Sequence, residues 1–157
     1  CSRNPDHAQK LALQLQAEGM NARAANKSQD AAESADIICT ATTSLTPVLF
    51  GDDVRPGTHV DLIGAFKSDM READDNLLTK GRLFVDSRDT TLDHIGELMI
   101  PLAQGIITEN HVLGDLYDLT QQPFERAQGD ITIFKNGGGA HLDLMIAHEI
   151  LRTKQRL

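Results

Sequence analysis

The chain has 157 residues, of which 40% are hydrophobic and 24% are charged. This length and composition are typical of one globular domain with a buried core, and they exclude a long disordered or fibrous chain. The chain carries 15 lysines and arginines against 23 aspartates and glutamates, a net charge of −8. An acidic surface of this kind argues against nucleic acid and anionic membranes as partners.

Cysteine content and hydropathy predict a cytoplasmic protein. Cys1 and Cys39 are too few for a disulfide framework, and the apolar run Ile37-Ile38-Cys39 predicts that Cys39 is a small, buried hydrophobic residue. No apolar stretch approaches the roughly 20 residues that span a bilayer. Because the sequence opens on Cys1 rather than Met, immediately before a helix start, we expect it to be a piece of a longer protein.

The patterns along the chain predict alternating strands and helices. The first helix should begin at Pro5, since Asn4 can cap its first N–H groups, and should end near Glu18, before Gly19. The remaining predicted elements are a weak strand at 21–25, a small helix at 29–33, a strand at 36–41 buried on both faces, a strand at 59–64, a helix at 70–79, a strand at 82–86, short helices at 90–95, around Leu102 and at 113–119, a strand at 131–134, and a helix from Ala140 to about Arg152.

This alternation favours an α/β fold with a mostly parallel sheet covered by helices, in which ligands bind beyond the carboxyl ends of the strands. Three predicted strand ends deliver small or hydroxylated residues, so the backbone could approach the phosphates or flat rings of a ligand there. Turn formation explains any one of these segments taken alone. The segments are Thr40-Ala41-Thr42-Thr43-Ser44, Ile63-Gly64-Ala65 and Lys135-Asn136-Gly137-Gly138-Gly139.

The first residues and the histidines allow narrower interpretations. In a doubly wound nucleotide-binding fold, an arginine after the second strand accommodates the 2′-phosphate of NADP, and Ser2-Arg3-Asn4 fits that position. The alternative is a solvated arginine beside a helix cap, since no glycine fingerprint precedes it. His141 and His148 lie on one predicted helix face, but without an HExxH or paired-cysteine pattern we predict no metal site.

Several segments together resemble a known family over nearly the whole chain and in the family's order. They are Ala35-Asp36-Ile37-Ile38-Cys39-Thr40-Ala41-Thr42, Thr46-Pro47-Val48-Leu49-Phe50-Gly51, Arg55-Pro56-Gly57-Thr58-His59-Val60, Ile63-Gly64-Ala65, Ser68-Asp69-Met70-Arg71-Glu72, Phe84-Val85-Asp86-Ser87 and Thr132-Ile133-Phe134-Lys135. The sequence resembles the ornithine cyclodeaminase and mu-crystallin family.

The resemblance implies a Rossmann-type NAD(P)-binding fold that is incomplete at its N-terminus, with the first strand and its glycine turn missing. Residues 1–136 would form a partial NAD(P)-binding domain. Residues 137–157 would form a helix that returns toward a mostly absent dimerisation and substrate domain. The intact protein would be a homodimer.

The implied activity is an NADPH-dependent reduction of cyclic ketimines, with NADH also possible: pyrroline-2-carboxylate would give proline, and piperideine-2-carboxylate would give pipecolate. The cofactor carries the hydride. The catalytic residues would lie in the missing part, so this piece alone should be inactive. The implied cofactor-binding residues are Ser2, Arg3 and Asn4 around the 2′-phosphate, Thr40, Ala41 and Thr42 along the groove, Ile63, Gly64 and Ala65 beside the nicotinamide, and Lys135 and Asn136 nearby.

Two residues depart from the family's pattern. Phe66 stands where cyclodeaminases carry an aspartate that acts on the substrate amine, so reduction is favoured over loss of ammonia. Asn136 stands where relatives often have serine, which weakens its assignment. The alternatives left open are an ornithine cyclodeaminase, an alanine dehydrogenase or opine-type enzyme, a non-catalytic mu-crystallin-like NADPH-binding protein, and a defective gene remnant.

Overall fold

The computed structural model of the protein describes residues 1–154. The strands are β1 (Ile37–Thr40), β2 (His59–Leu62), β3 (Arg82–Val85), β4 (Val112–Gly114) and β5 (Thr132–Lys135). The α-helices are α1 (Pro5–Ala17), α2 (Ser28–Ala32), α3 (Asp75–Lys80), α4 (Arg88–Thr91), α5 (Gly96–Ala103), α6 (Leu116–Gln121) and α7 (Ala140–Lys154), and a 3₁₀ turn covers Glu109–His111.

The five strands form one sheet in the order β1-β2-β5-β3-β4, and all of the pairings are parallel. The last strand in sequence, β5, therefore lies at the centre, with Ile133 opposite Val60 on one side and Leu83 on the other. These three side chains are fully buried in the main core, together with Leu77 of α3 and Leu98 of α5. The predicted parallel α/β fold is confirmed.

The ends of α1 follow the predicted signals. Asn4 caps the helix, since its side-chain oxygen accepts a hydrogen bond of 2.9 Å from the N–H of Asp6. Gly19, just beyond the C-cap residue Glu18, has a φ of +87°, which favours glycine. The predicted helix from Ala140 is also confirmed as α7, while residues 155–157 of the predicted C-terminal segment lie outside the described residues.

The prediction that residues 36–41 form a strand buried on both faces is wrong, and so is the predicted burial of Cys39. Ile37 is 66% exposed, and Cys39 is exposed and free. The reason is the place of β1 in the sheet. It is an outer strand of the described sheet, and only Ile38 and Thr40 turn toward the packed side.

Two other predicted elements differ because local capping or tertiary pairing overrides apolar periodicity. In the predicted helix at 70–79, Ala73 instead forms a parallel bridge with Leu49, and the helix starts only after Asp74, whose carboxylate caps it. In the predicted helix at 113–119, the chain first forms strand β4, and α6 begins after the cap Asp115. Residues 21–25 form no strand.

Within residues 1–154, no helix combines the length and the apolar character needed to cross a membrane.

Candidate nucleotide-binding site

Three of the four predicted groups of site residues meet at one edge of the sheet. Because β1, β2 and β5 are adjacent and parallel, their carboxyl ends lie side by side. The N–H of Ile63 donates to Thr40 O at 2.9 Å, and the N–H of Asn136 donates to Leu62 O at 3.1 Å. The strand ends 40–42, 63–65 and 135–136 are therefore held together by backbone hydrogen bonds.

A buried glutamate, which no local sequence pattern marks as a site residue, joins two of these strand ends. Glu72 is fully buried. Its Oε1 accepts hydrogen bonds from the N–H and the hydroxyl of Thr42, at 2.6 and 2.7 Å. Its Oε2 accepts from the hydroxyl of Thr40 at 2.8 Å and from the N–H of Gly64 at 2.7 Å. Four donors thus converge on a single carboxylate.

Gly64 permits this convergence because its backbone lies against the neighbouring strand end. A Cβ at this position would lie 2.0 Å from Thr42 O and 2.3 Å from Glu72 Oε1. Neither the backbone oxygen nor the fully bonded carboxylate can move aside easily. Any side chain at Gly64 would therefore push the two strand ends apart.

The donors of Thr40, Thr42 and Gly64 point inward to Glu72, which determines which polar groups remain free to bind a ligand. The hydroxyl of Thr40 and the N–H groups of Thr42 and Gly64 are all bonded to Glu72. By contrast, Ala41 is exposed and Ile63 is 44% exposed. The open surface of these strand ends is therefore largely apolar.

A second buried carboxylate holds the segment that carries Glu72. Glu97 is fully buried in α5, and its two oxygens accept from the N–H groups of Glu72 and Ala73 at 2.7 and 2.9 Å. Burial raises the pKa of Glu97, and these two backbone hydrogen bonds partly oppose the shift. The carboxylate of Glu72 thus supports the strand ends, and the carboxylate of Glu97 supports the backbone of Glu72.

Lys135 reaches the same turn from the interior. The side chain is fully buried, and its ammonium donates to Leu62 O at 3.0 Å and Ala65 O at 2.7 Å. Burial lowers the pKa of Lys135, while the charges of Glu97 and Glu72 act in the opposite direction. Lys135 therefore fixes the turn that follows β2, and its ammonium lies away from solvent.

The turn after β5 is built by Asn136 and glycines. Asn136 Oδ1 accepts from the N–H of Gly138 at 2.7 Å, and Gly138 has a φ of +72°. A Cβ at Gly137 would lie 2.7 Å from Thr91 Cγ2 and 3.1 Å from Asp86 Oδ1. This close packing brings the turn against the end of β3.

The fourth predicted group, Ser2 to Asn4, directly precedes helix α1. All three residues are exposed, and no hydrogen bond or ion pair within residues 1–154 joins them to the strand ends described above. The Asn4 side chain is used as the cap of α1. Ser2 lies at an open groove with His7 and Leu11 of α1, and Arg3 is a neighbouring exposed cation.

Phe66 lies immediately after the turn formed by Gly64 and Ala65. Its side chain is 55% exposed, and the ammonium of Lys67 lies 5.4 Å from the centre of its ring. The position at which cyclodeaminases of the resembled family carry an aspartate thus presents an aromatic ring at the edge of the site. This ring offers neither a proton acceptor nor a negative charge for a substrate amine.

Comparison with known proteins places the chain in a family. The sequence profile of the ornithine cyclodeaminase/mu-crystallin family matches residues 1–155. The chain is 56% identical over 154 residues to Delta(1)-pyrroline-2-carboxylate reductase from Paracoccus denitrificans, a match that covers 97% of this chain and 49% of the relative. The chain thus spans about half the length of the curated relatives it matches.

Solved structures show the same fold. The reductase of the same name from Thermococcus litoralis, in complex with NADH and L-proline, superposes with a TM-score of 0.81 at 31% identity, covering 87% of this chain and 43% of that one. An archaeal alanine dehydrogenase dimer with bound NAD superposes with a TM-score of 0.83 at 26% identity, covering 91% and 44%. The sheet is therefore a Rossmann-type fold, and the chain belongs to the ornithine cyclodeaminase/mu-crystallin family.

Proposed function

We propose that this chain is the nucleotide-binding half of an NAD(P)H-dependent reductase of cyclic ketimines. The expected reactions convert pyrroline-2-carboxylate to proline and piperideine-2-carboxylate to pipecolate. The observation that carries the proposal is the 56% identity to a pyrroline-2-carboxylate reductase over 97% of the chain. A nicotinamide cofactor supplies the hydride when bound, and this chain's residues bind and orient it.

The strand ends fit a nicotinamide dinucleotide in a specific manner. Parallel α/β sheets bind nucleotides beyond the carboxyl ends of their strands, and here those ends present Ala41 and Ile63 to solvent. Gly64 lets the chain come close to the neighbouring strand end without a side chain in between. We assign the nicotinamide and its ribose to this apolar surface, which Glu72 and Lys135 support from beneath.

Reduction is favoured over deamination by Phe66. A deaminating enzyme must move protons at the substrate amine, which needs a titratable group within hydrogen-bond reach. The exposed ring of Phe66 provides none. A ring of this kind can instead lie against the apolar part of a cyclic substrate.

NADPH is proposed as the preferred cofactor because of Arg3. Its guanidinium is free of ion pairs within residues 1–154 and is exposed, so it can pair with a 2′-phosphate. Ser2 can add a hydroxyl donor beside it. The Thermococcus relative is described with NADH, so this preference is a property of the present chain to be tested.

The C-terminal helix supports the proposed division of the chain at residue 136. Helix α7 has no buried residue. Five of its apolar side chains are exposed by more than half: Leu144, Met145, Ile146, Ile150 and Leu151. An apolar helix of this length needs a partner surface, and we propose that it joins the dimerisation and substrate part of a cytoplasmic homodimer.

The test is the oxidation of NADPH and NADH by the full-length protein with pyrroline-2-carboxylate, followed by the loss of reduced-nucleotide absorbance. We expect turnover that favours NADPH in the wild type and a reversed preference in Arg3→Asp. Lys10→Asp, which makes the same charge change on exposed α1, should keep the wild-type preference. Absence of turnover with this substrate, together with conversion of ornithine, would overturn the proposal in favour of a cyclodeaminase.

A further inference from the structure

We infer that Glu72 is a positioning residue for the nucleotide: its carboxylate fixes the separation of the strand ends at Thr40–Thr42 and Gly64, on which the nicotinamide end lies. The inference rests on the proposed function, because it concerns the same surface. Glu72 itself is fully buried, so its carboxylate lies beneath the surface on which the nucleotide would rest. It therefore acts through the backbone of the residues at that surface.

The geometry of the four hydrogen bonds gives the carboxylate this role. An ionised carboxylate only accepts hydrogen bonds and has about four acceptor positions, and all four are used at 2.6–2.8 Å by donors from Thr40, Thr42 and Gly64. Two donors are backbone N–H groups, of Thr42 after β1 and of Gly64 after β2. The carboxylate thus adds a second connection between these two strand ends, beside the backbone hydrogen bond from Ile63 N–H to Thr40 O.

The backbone of Glu72 is hydrogen-bonded at both its N–H and its carbonyl, so its side chain can hold the strand ends in a fixed position. Its N–H donates to Glu97 Oε2 at 2.7 Å. Its carbonyl accepts from the N–H groups of Val48 and Leu49, both at 2.9 Å. The backbone of Glu72 is therefore anchored to α5 and to the loop after β1 before its side chain reaches the site.

The hydrogen bonds to Glu72 also explain which chemical groups the surface of these strand ends can bind. Because the donors of Thr42 and Gly64 point inward to Glu72, they are unavailable to phosphate oxygens, and a phosphate placed there would lose hydrogen bonds to water without gaining these N–H groups. An uncharged ring and ribose meet no such penalty. Glu72 therefore also selects which part of the dinucleotide lies across β1 and β2.

Replacing Glu72 by glutamine tests this role with little change in shape. The glutamine amide can serve the two donors of Thr42 with its oxygen, but its NH₂ group then faces the N–H of Gly64, and two donors cannot pair. We expect the dissociation constant for NADPH, measured by its fluorescence on binding to the full-length protein, to rise about tenfold, the equivalent of one buried hydrogen bond. Amide hydrogen exchange at Thr42 and Gly64 should become faster.

A milder variant keeps the test valid if Glu72→Gln fails to fold. Thr40→Val removes one of the four donors and retains the branched shape, and we expect a rise of about threefold in the same dissociation constant. Where Glu72→Gln does fold, Thr40→Val should have a smaller effect in the double variant Thr40→Val/Glu72→Gln than alone, because Thr40 acts through Glu72. Ile107→Val, a change at a buried core position outside the site, serves as the control and should leave NADPH binding within about twofold while lowering stability.

The outcomes separate this inference from the proposed reductase activity. If the wild type binds NADPH without reducing pyrroline-2-carboxylate, the proposed activity fails while the binding data still decide the role of Glu72. A wild type that binds neither NADPH nor NADH overturns both. If Glu72→Gln folds and binds NADPH as tightly as the wild type, with only its thermal stability lowered, Glu72 is a structural residue and the inference is wrong.

Discussion

Lys135 provides the sharpest test of how the site is supported, because a fully buried ammonium is rare and its partners are known. We consider Lys135→Met, which keeps the length of the side chain and removes the charge and the donors. The ammonium donates to Leu62 O at 3.0 Å and to Ala65 O at 2.7 Å. Both hydrogen bonds are lost in the variant.

In Lys135→Met, the carbonyl of Leu62 keeps a hydrogen-bond donor and the carbonyl of Ala65 does not. Leu62 O also accepts from the N–H of Asn136 at 3.1 Å and stays paired. Ala65 is fully buried, and no other donor within residues 1–154 bonds to its carbonyl. An unpaired buried carbonyl costs about 1–3 kcal/mol, and removal of the ammonium recovers part of the burial penalty that lowers the pKa of Lys135. We expect a net loss of about 2 kcal/mol in the free energy of unfolding.

Urea unfolding followed by circular dichroism measures this loss. Lys80→Met is the control: its ammonium pairs with Asp52 at 2.9 Å on the surface, so its removal should change stability by no more than about 0.5–1 kcal/mol.

The difference in stability between the wild type and Lys135→Met depends on pH, and the direction of this dependence follows from the pKa of Lys135. Since burial lowers the pKa of Lys135 below 10.5 in the folded state, the unfolded state binds more protons just below pH 10.5. Wild-type stability from this group therefore rises with pH there, and its advantage over Lys135→Met should widen. Equal stability of the two proteins at pH 7, or a gap that narrows as pH rises toward 10.5, would refute this account of the turn.

Two further substitutions probe the layers around the strand ends. In Glu97→Gln, one of two backbone N–H groups loses its acceptor, at a cost of about 1–3 kcal/mol. Because burial raises the pKa of Glu97 above 4.5, the wild type loses stability from this group as pH rises above 4.5. The difference in urea-unfolding free energy between the wild type and Glu97→Gln should therefore be larger at pH 4.5 than at pH 7. A difference that grows with pH would contradict this account of Glu97. Gly64→Ala places a Cβ 2.0 Å from Thr42 O and should cost at least about 3 kcal/mol in thermal or urea unfolding. Gly114→Ala, whose Cβ has its nearest contact at 3.4 Å, should cost less, and equal losses would argue against the steric explanation.

The parts of the site that follow from local sequence could be predicted. Hydroxyls and glycines directly after apolar runs indicate strand ends, and the parallel sheet brings 40–42, 63–65 and 135–136 together as expected. The role of Glu72 could not be derived in this way. Its carboxylate reaches residues that lie 30 and 32 positions earlier in the chain, and no local pattern records a contact over that distance.

The errors in the fold have the same origin. An apolar run such as Ile37 to Cys39 is consistent with burial on both faces, but burial depends on which strands and helices lie beside it, and β1 is an outer strand of the described sheet. The helix predicted from Met70 begins only at Asp75, because the capping carboxylate of Asp74 and the bridge at Ala73 determine the local backbone. Periodicity alone does not weigh such competing contacts.

The central position of β5 has a consequence for biosynthesis. Leu62 and Lys135 are neighbours in the sheet but are separated by 73 positions in the chain. Before residues 132–135 leave the ribosome, the five described strands can form two separate pairs, β1 with β2 and β3 with β4, because β5 is the strand that joins them. At a synthesis rate of about 5–20 residues per second, residues 115–135 take about 1–4 s to be made, and during this time the described sheet is in two halves. The cooperative core can form only when β5 inserts between them, so a nascent chain stalled before Thr132 would remain a target for chaperones and proteases.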